Sequence, residues 1–176
     1  MKQEAKVCMI TFIHTWQSRC NVKPEIVADT KCVTGEGPLW HHKEEKLYWL
    51  DIPNGSIFRY DPTAGSHERV YKGEVIGGFT IQEDGALLLF MAKGAVKIWR
   101  KGELTTVIDG IPDERETRFN DVIADPEGRV FCGTMPAKDR PGRLYRLDTD
   151  GSLTKILDGI GISNGMGFTP DRKQMY

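Results

Sequence analysis

Four segments of this chain can be laid over one another. They are "PLWHHKEEKLYWLD", "FTIQEDGALLLFM", "VIADPEGRVFCGTM" and "MGFTPDRKQMY", aligned so that Trp40, Ile81, Ala124 and Phe168 coincide, in steps of 41, 43 and 44 residues. Each sets a polar turn such as "EDG", "PEG" or "PDR" beside a β-prone run such as "LLLF" or "VFCG". That pattern reads as strand, turn, strand. A second anchor of apolar, aromatic and arginine recurs as "IFR" at Ile57, "IWR" at Ile98 and "LYR" at Leu144. A third pairs "LTTVIDGI" from Leu104 with "LTKILDGI" from Leu153, with extra residues assigned to the "DERET" loop before Arg118.

A repeat of about 40 to 45 residues carrying four short strands is the signature of a β-propeller. The expected fold is therefore all-β, and six-bladed by the family resemblance drawn below, with about the first three to four blades in this chain. Long amphipathic helical patterns are absent, which argues against a βαβ architecture. A β-sandwich is the rival, but it predicts no repeat that holds at three anchors.

In a propeller the innermost strand of every blade lines a central channel. The residues four before the first anchors are Glu36, Gly77, Asn120 and Asn164. One carboxylate and two amides from separate repeats should thus converge on one axis. Each is a poor strand-interior residue by propensity, and buried polar groups need partners. Their oxygens suit a hard divalent cation, whereas zinc in structural sites prefers His or Cys. The competing explanation is local, since Gly, Asn and Asp also start strands because they form turns, as in "GEGP" and "SNGMG".

Composition narrows the partners. A net charge of -1, with 24 basic residues scattered without a run, offers no footprint for nucleic acid or an anionic membrane. The apolar run Val7 to Ile13 is far too short to span a bilayer, and Glu4 sits where a signal peptide would be basic. Cys8, Cys20, Cys32 and Cys132 form no C-x-x-C pair, which reads as reduced thiols in a cytoplasmic protein. His41 and His42 are adjacent, so on a strand they diverge and do not share a metal. By the same alternation Asp121 should turn away from the face of Asn120 and serve a structural hydrogen bond. "LYWLD" reads as a second-strand core pattern.

The segments "GEGPLW", "YWLDIPNGSIFRYDP", "RFNDVIADPEGRVFCGTM" and "ISNGMGFTPDRKQMY" closely resemble the SMP-30/gluconolactonase family of regucalcin-like sugar lactonases, from Val22 to the C-terminus. The resemblance implies a six-bladed propeller with one divalent metal ion (Ca, Mg, Mn or Zn) in the axial channel. It implies that Glu36 and Asn164 are metal ligands and that Arg118 and Asn120 hold substrate oxygens. The implied reaction is hydrolysis of a sugar (aldono)lactone, the metal acting as Lewis acid and acidifying water. The alternative is a non-catalytic propeller that binds calcium or a protein. For Arg118 the alternative is a surface ion pair with Glu114 or Glu116.

Several expectations mark departures from that family. The catalytic residue stays unassigned, because a further aspartate, a metal ligand and general base, is expected in a later blade beyond Tyr176. Six units of about 43 residues need roughly 260, so the chain reads as a fragment, inactive and poorly soluble alone. Residues 1–21 read as an N-terminal extension and 22–176 as a partial propeller. "EIVAD", Glu25 to Asp29, is expected to supply an outer strand of the closing blade. "PAKDRPG" should border the channel mouth, with Lys138 where relatives often carry an acidic residue.

Overall fold

The computed structural model describes the backbone of residues 5–9 and residues 24–176 in full. Three four-stranded antiparallel meanders follow one another. The first runs β3 (Gly35–His41), β4 (Lys46–Asp51), β5 (Ser56–Asp61) and β6 (Ser66–Lys72). The second is β7 (Ile76–Ile81), β8 (Leu87–Met91), β9 (Val96–Arg100) and β10 (Glu103–Ile108). The third is β11 (Phe119–Ala124), β12 (Val130–Thr134), β13 (Gly142–Leu147) and β14 (Leu153–Ile160). A bridge between Phe168 and Met175 starts a fourth unit. These are propeller blades, and the three sequence anchors fall on their first, third and fourth strands respectively.

The turns explain why the repeat shows in the sequence. Asp61, Asp84, Asp150 and Asp171 each accept, through Oδ1, the N–H two residues on, at 2.9, 2.9, 2.9 and 3.2 Å. A short carboxylate closing its own turn is a local device, independent of the rest of the fold.

The second strands carry the core. In β8 the run Leu87 to Met91 is wholly buried, because alternate side chains serve different neighbours. Leu87, Leu89 and Met91 pack with Tyr48, Leu50 and Ile57 of the first blade. Leu88 and Phe90 pack with Phe119, Val130 and Tyr145 of the third. The "LYWLD" segment is buried from Tyr48 to Asp51 as expected, with Trp49 against Ala28 and Cys32. Ala28 and Cys32 belong to β2 (Glu25–Cys32), which pairs with β1 (Ala5–Met9) in a two-stranded sheet. "EIVAD" is thus a strand, and its partner comes from residues that the repeat leaves out. Cys8 lies in that partner and Cys20 outside the described residues, while Cys32 and Cys132 are buried and unpaired.

The innermost strands of the three blades are irregular within about one residue of the same register. β3 gains one residue on β4 between Glu36 and Leu39, β7 one on β8 between Ile76 and Gly78, and β11 one on β12 between Phe119 and Val122. Such bulges break strict alternation and re-aim side chains. They coincide with the register that places Glu36, Gly77 and Asn120.

Candidate functional site

An open cavity of about 750 Å³ is walled by β3, β7 and β11 and by the loop carrying Asn164, with residues of the β3 and β11 bulges on its lining. Glu36 and Asn164, 128 residues apart in sequence, both line it, together with Trp40, His42, Thr80 and Asp121. Neither the Glu36 nor the Asn164 side chain has a hydrogen-bond or ion-pair partner among the described residues. Two oxygen donors are therefore left free on a shared wall. Among the described residues no three His, Cys, Asp or Glu side chains cluster as a metal site, so a cation here would rely on an amide oxygen beside the carboxylate and on water.

Blade 2 contributes no side chain at this register, for a packing reason. A Cβ on Gly77 would fall on the carbonyl of Phe119, and one on Gly78 would stand 2.7 Å from the carbonyl of Asn120. The paired glycines let β11 lie against β7, closing the seam between blades 2 and 3 at the cavity wall.

Asn120 departs from the simple axial expectation. It is buried behind the wall, where its Nδ2 donates to Ser163 O at 2.9 Å and its Oδ1 accepts from Arg118 Nη1 at 2.9 Å. Asp121 is the one that lines the cavity. The bulge decides which of the two lines the cavity, and sequence spacing does not reveal it. The structural hydrogen bonds expected of Asp121 are present: Oδ1 accepts Val122 N at 2.9 Å, and Oδ2 accepts Gly165 N and Met166 N at 2.6 and 3.2 Å.

Arg118 is half-buried and also donates to Phe119 O at 2.8 Å. Burial holds its guanidinium below the ordinary range, and the Glu36 carboxylate nearby partly offsets this. The surface ion pair with Glu114 or Glu116 does not form. Glu114 is instead fully buried on the 3-10 turn Pro112–Glu114, where it accepts from Tyr145 Oη at 2.7 Å and pairs with Arg140. That network ties the "DERET" loop to blade 3 immediately before Arg118. The "PAKDRPG" loop lies at this same end, since Met135 N donates to Arg118 O at 2.9 Å, and Lys138 is exposed on it.

The two adjacent histidines differ in setting. His41 is buried, with Nε2 3.0 Å from Gly85 O and Nδ1 accepting Glu44 N at 3.2 Å. These bonds assign the proton to Nε2. His42 is exposed on the cavity wall. A second cleft, between blades 1 and 2 around Arg59, pairs several of its charges internally. Arg59 holds Glu44 and Glu68 at 3.0 and 2.8 Å, and Arg100 holds Asp84.

Fold and site together define a propeller with an open cavity at its inner strands, largely apolar but carrying the Glu36, Asp121 and Asn164 side chains. Residues 34–176 match the profile of the SMP-30/Gluconolactonase/LRE-like region, and the chain belongs to that family. It is 53% identical over 158 residues to pentonolactonase XacC of Haloferax volcanii, covering 85% of this chain and 51% of that protein. It is 32% identical over 164 residues to regucalcin of Xenopus laevis, covering 89% and 55%. Among solved structures, a luciferin-regenerating enzyme superposes with TM-score 0.71 at 25% identity, over 81% of this chain and 51% of that one. The calcium-binding protein regucalcin of Agrobacterium tumefaciens superposes with TM-score 0.74 at 22% identity, over 83% and 50%. The chain spans about half the length of the relatives it matches. Among the described residues no helix is long and apolar enough to cross a membrane.

Proposed function

We propose that the axial cavity binds one divalent cation through Glu36 and Asn164 and hydrolyses a sugar (aldono)lactone, with Arg118 at the substrate and Asn120 orienting it from behind the wall. The observation that carries this reading is the meeting of an unpaired carboxylate and an unpaired amide on one cavity wall, with a half-buried arginine beside the carboxylate. Relatives named as lactonases, the pentonolactonase among them, support the reaction class. The free thiols Cys32 and Cys132 agree with a cytoplasmic setting.

The residues divide the work by their chemistry. Glu36 brings the negative charge and Asn164 a neutral oxygen, a donor pair suited to hard cations such as Ca, Mg or Mn, with zinc also accommodated. When bound, the cation supplies Lewis-acid polarisation of the ester carbonyl and acidifies water. Arg118 offers a fork of donors to lactone oxygens, and its bond to Asn120 Oδ1 fixes that fork. Asn120, buried behind the cavity wall, donates to Ser163 O and accepts from Arg118, so it serves the substrate by orienting the arginine. In the reaction, water adds to the carbonyl carbon and the ring C–O bond breaks. The products are a carboxylic acid and a free hydroxyl, which takes the proton.

Calorimetric titration of Ca, Mg and Mn into the full chain, with Glu36→Ala alongside, tests the reading, followed by pH-stat hydrolysis of aldonolactones. Binding that vanishes in the variant, with cation-dependent acid release by the wild type, is the expected result. Binding without hydrolysis would leave a non-catalytic cation-binding propeller, and equal binding in both proteins would remove Glu36 from the site.

A further inference from the structure

Asn164 has no hydrogen-bond partner among the described residues and lines the cavity, yet it sits in a loop rather than a ladder, with Gly165 at φ +70° behind it. A ligand on a loop is useful only if the loop is held. Apart from a long Ser163 Oγ–Met166 Sδ contact of 3.9 Å within it, the side-chain bonds that hold it among the described residues come from two consecutive residues of β11. Asn120 Nδ2 donates to Ser163 O at 2.9 Å, on the N-terminal side of Asn164. Asp121 Oδ2 accepts Gly165 N and Met166 N at 2.6 and 3.2 Å, on the C-terminal side. Asp121 Oδ1 accepts the N–H of its own neighbour Val122 at 2.9 Å, which locks its rotamer. Gly133 supplies the room, since a Cβ there would overlap the Ser163 side chain.

We infer that Asp121 is a positioning residue for Asn164, and that Asn120 and Asp121 form a two-sided clamp on the Ser163–Met166 loop that sets the amide oxygen of Asn164 against Glu36. The clamp depends on the β11 bulge. In an unbroken strand adjacent side chains leave on opposite faces, whereas here both reach one loop. A carboxylate accepting two backbone N–H groups makes charge-assisted bonds, roughly twice as strong as those of an amide. This inference rests on the cation reading of the cavity. It adds that the affinity is set in part by a residue that holds its ligand through the backbone.

The test is Asp121→Asn in the full chain, read by calorimetry with Ca, Mg and Mn and by amide hydrogen exchange without cation. The residues that orient a ligand typically contribute 10-fold to 100-fold in metal affinity. Asp121→Asn is expected to weaken binding about 10-fold and to speed exchange at Gly165 and Met166 while blades 1 and 2 keep their protection. Asp121→Glu retains the charge and changes only its reach, so it guards against a folding defect, and it should give an intermediate loss. Faster exchange with unchanged affinity would overturn the positioning role, and unchanged exchange would overturn the clamp itself. If the wild type binds no cation, the functional reading falls separately, and exchange at Gly165 and Met166 still decides the clamp.

Discussion

Gly78→Ala probes the seam on which the cavity wall depends. The new Cβ would stand 2.7 Å from Asn120 O and 2.9 and 3.1 Å from the two methyls of Val122. Ordinary contact begins at 3.4 Å. The Val122 methyls can turn aside, but the carbonyl belongs to β11, which must retreat by about 0.7 Å. Retreat loosens Phe119 and Phe90, both fully buried and in edge-to-face contact at 5.3 Å. Overpacking of this kind costs about 1–3 kcal/mol. Loss of glycine's freedom in the unfolded chain returns about 0.4–1 kcal/mol. A net loss of about 1–2 kcal/mol should remain. The assay is urea unfolding followed by tryptophan fluorescence, for which buried Trp49 is a reporter. With a slope of about 2 kcal/mol per molar, the midpoint should fall by about 0.5–1 M. Gly161→Ala, where an added Cβ meets nothing within 4 Å, is the neutral control. A Gly78→Ala midpoint equal to that control would refute the seam argument.

Gly77→Ala should cost more than Gly78→Ala in the same assay, because its Cβ would overlap the Phe119 carbonyl and no side-chain rotation relieves that. Glu114→Gln should destabilise by about 1–3 kcal/mol, below the full cost of breaking a buried pair because Arg140 and Arg143 keep some access to solvent; urea midpoints read this, and no change would mean that Glu114 is not a tie for its loop. Tyr48 and Tyr145 are both pushed up to about 12 by burial first and by the Glu44 and Glu114 carboxylates second. Raised folded-state values mean that their stabilisation is complete below the ordinary tyrosine value of about 10. It is lost as pH climbs through about 12. Burial also raises Tyr71, so ultraviolet titration of tyrosinate should show three late-ionising residues, and ionisation of all five tyrosines near the ordinary value would contradict it.

Much of this architecture is legible in the chain because its causes are local. A turn closed by its own aspartate, as at Asp84 or Asp150, repeats wherever the same residues repeat. The apolar, aromatic, arginine anchors mark the third strand of each blade because alternation decides which side chain is buried. Hence the order of strands, the period and the register that brings Glu36 and Asn164 to one cavity all follow from residue type and spacing. What only the tertiary structure decided is the fine aim of side chains and their choice of partner. The β11 bulge adds a residue that no spacing rule reveals, and it sends Asn120 behind the wall and Asp121 onto it. Arg118 bonds Asn120 rather than the glutamates close to it in sequence, because Glu114 is taken by Tyr145 and Arg140 of the third blade. Blade 2 offers glycine at the axis because another strand's backbone occupies the space. Each depends on atoms brought together from different strands, loops or blades, and contacts of that kind exist only once the chain has folded.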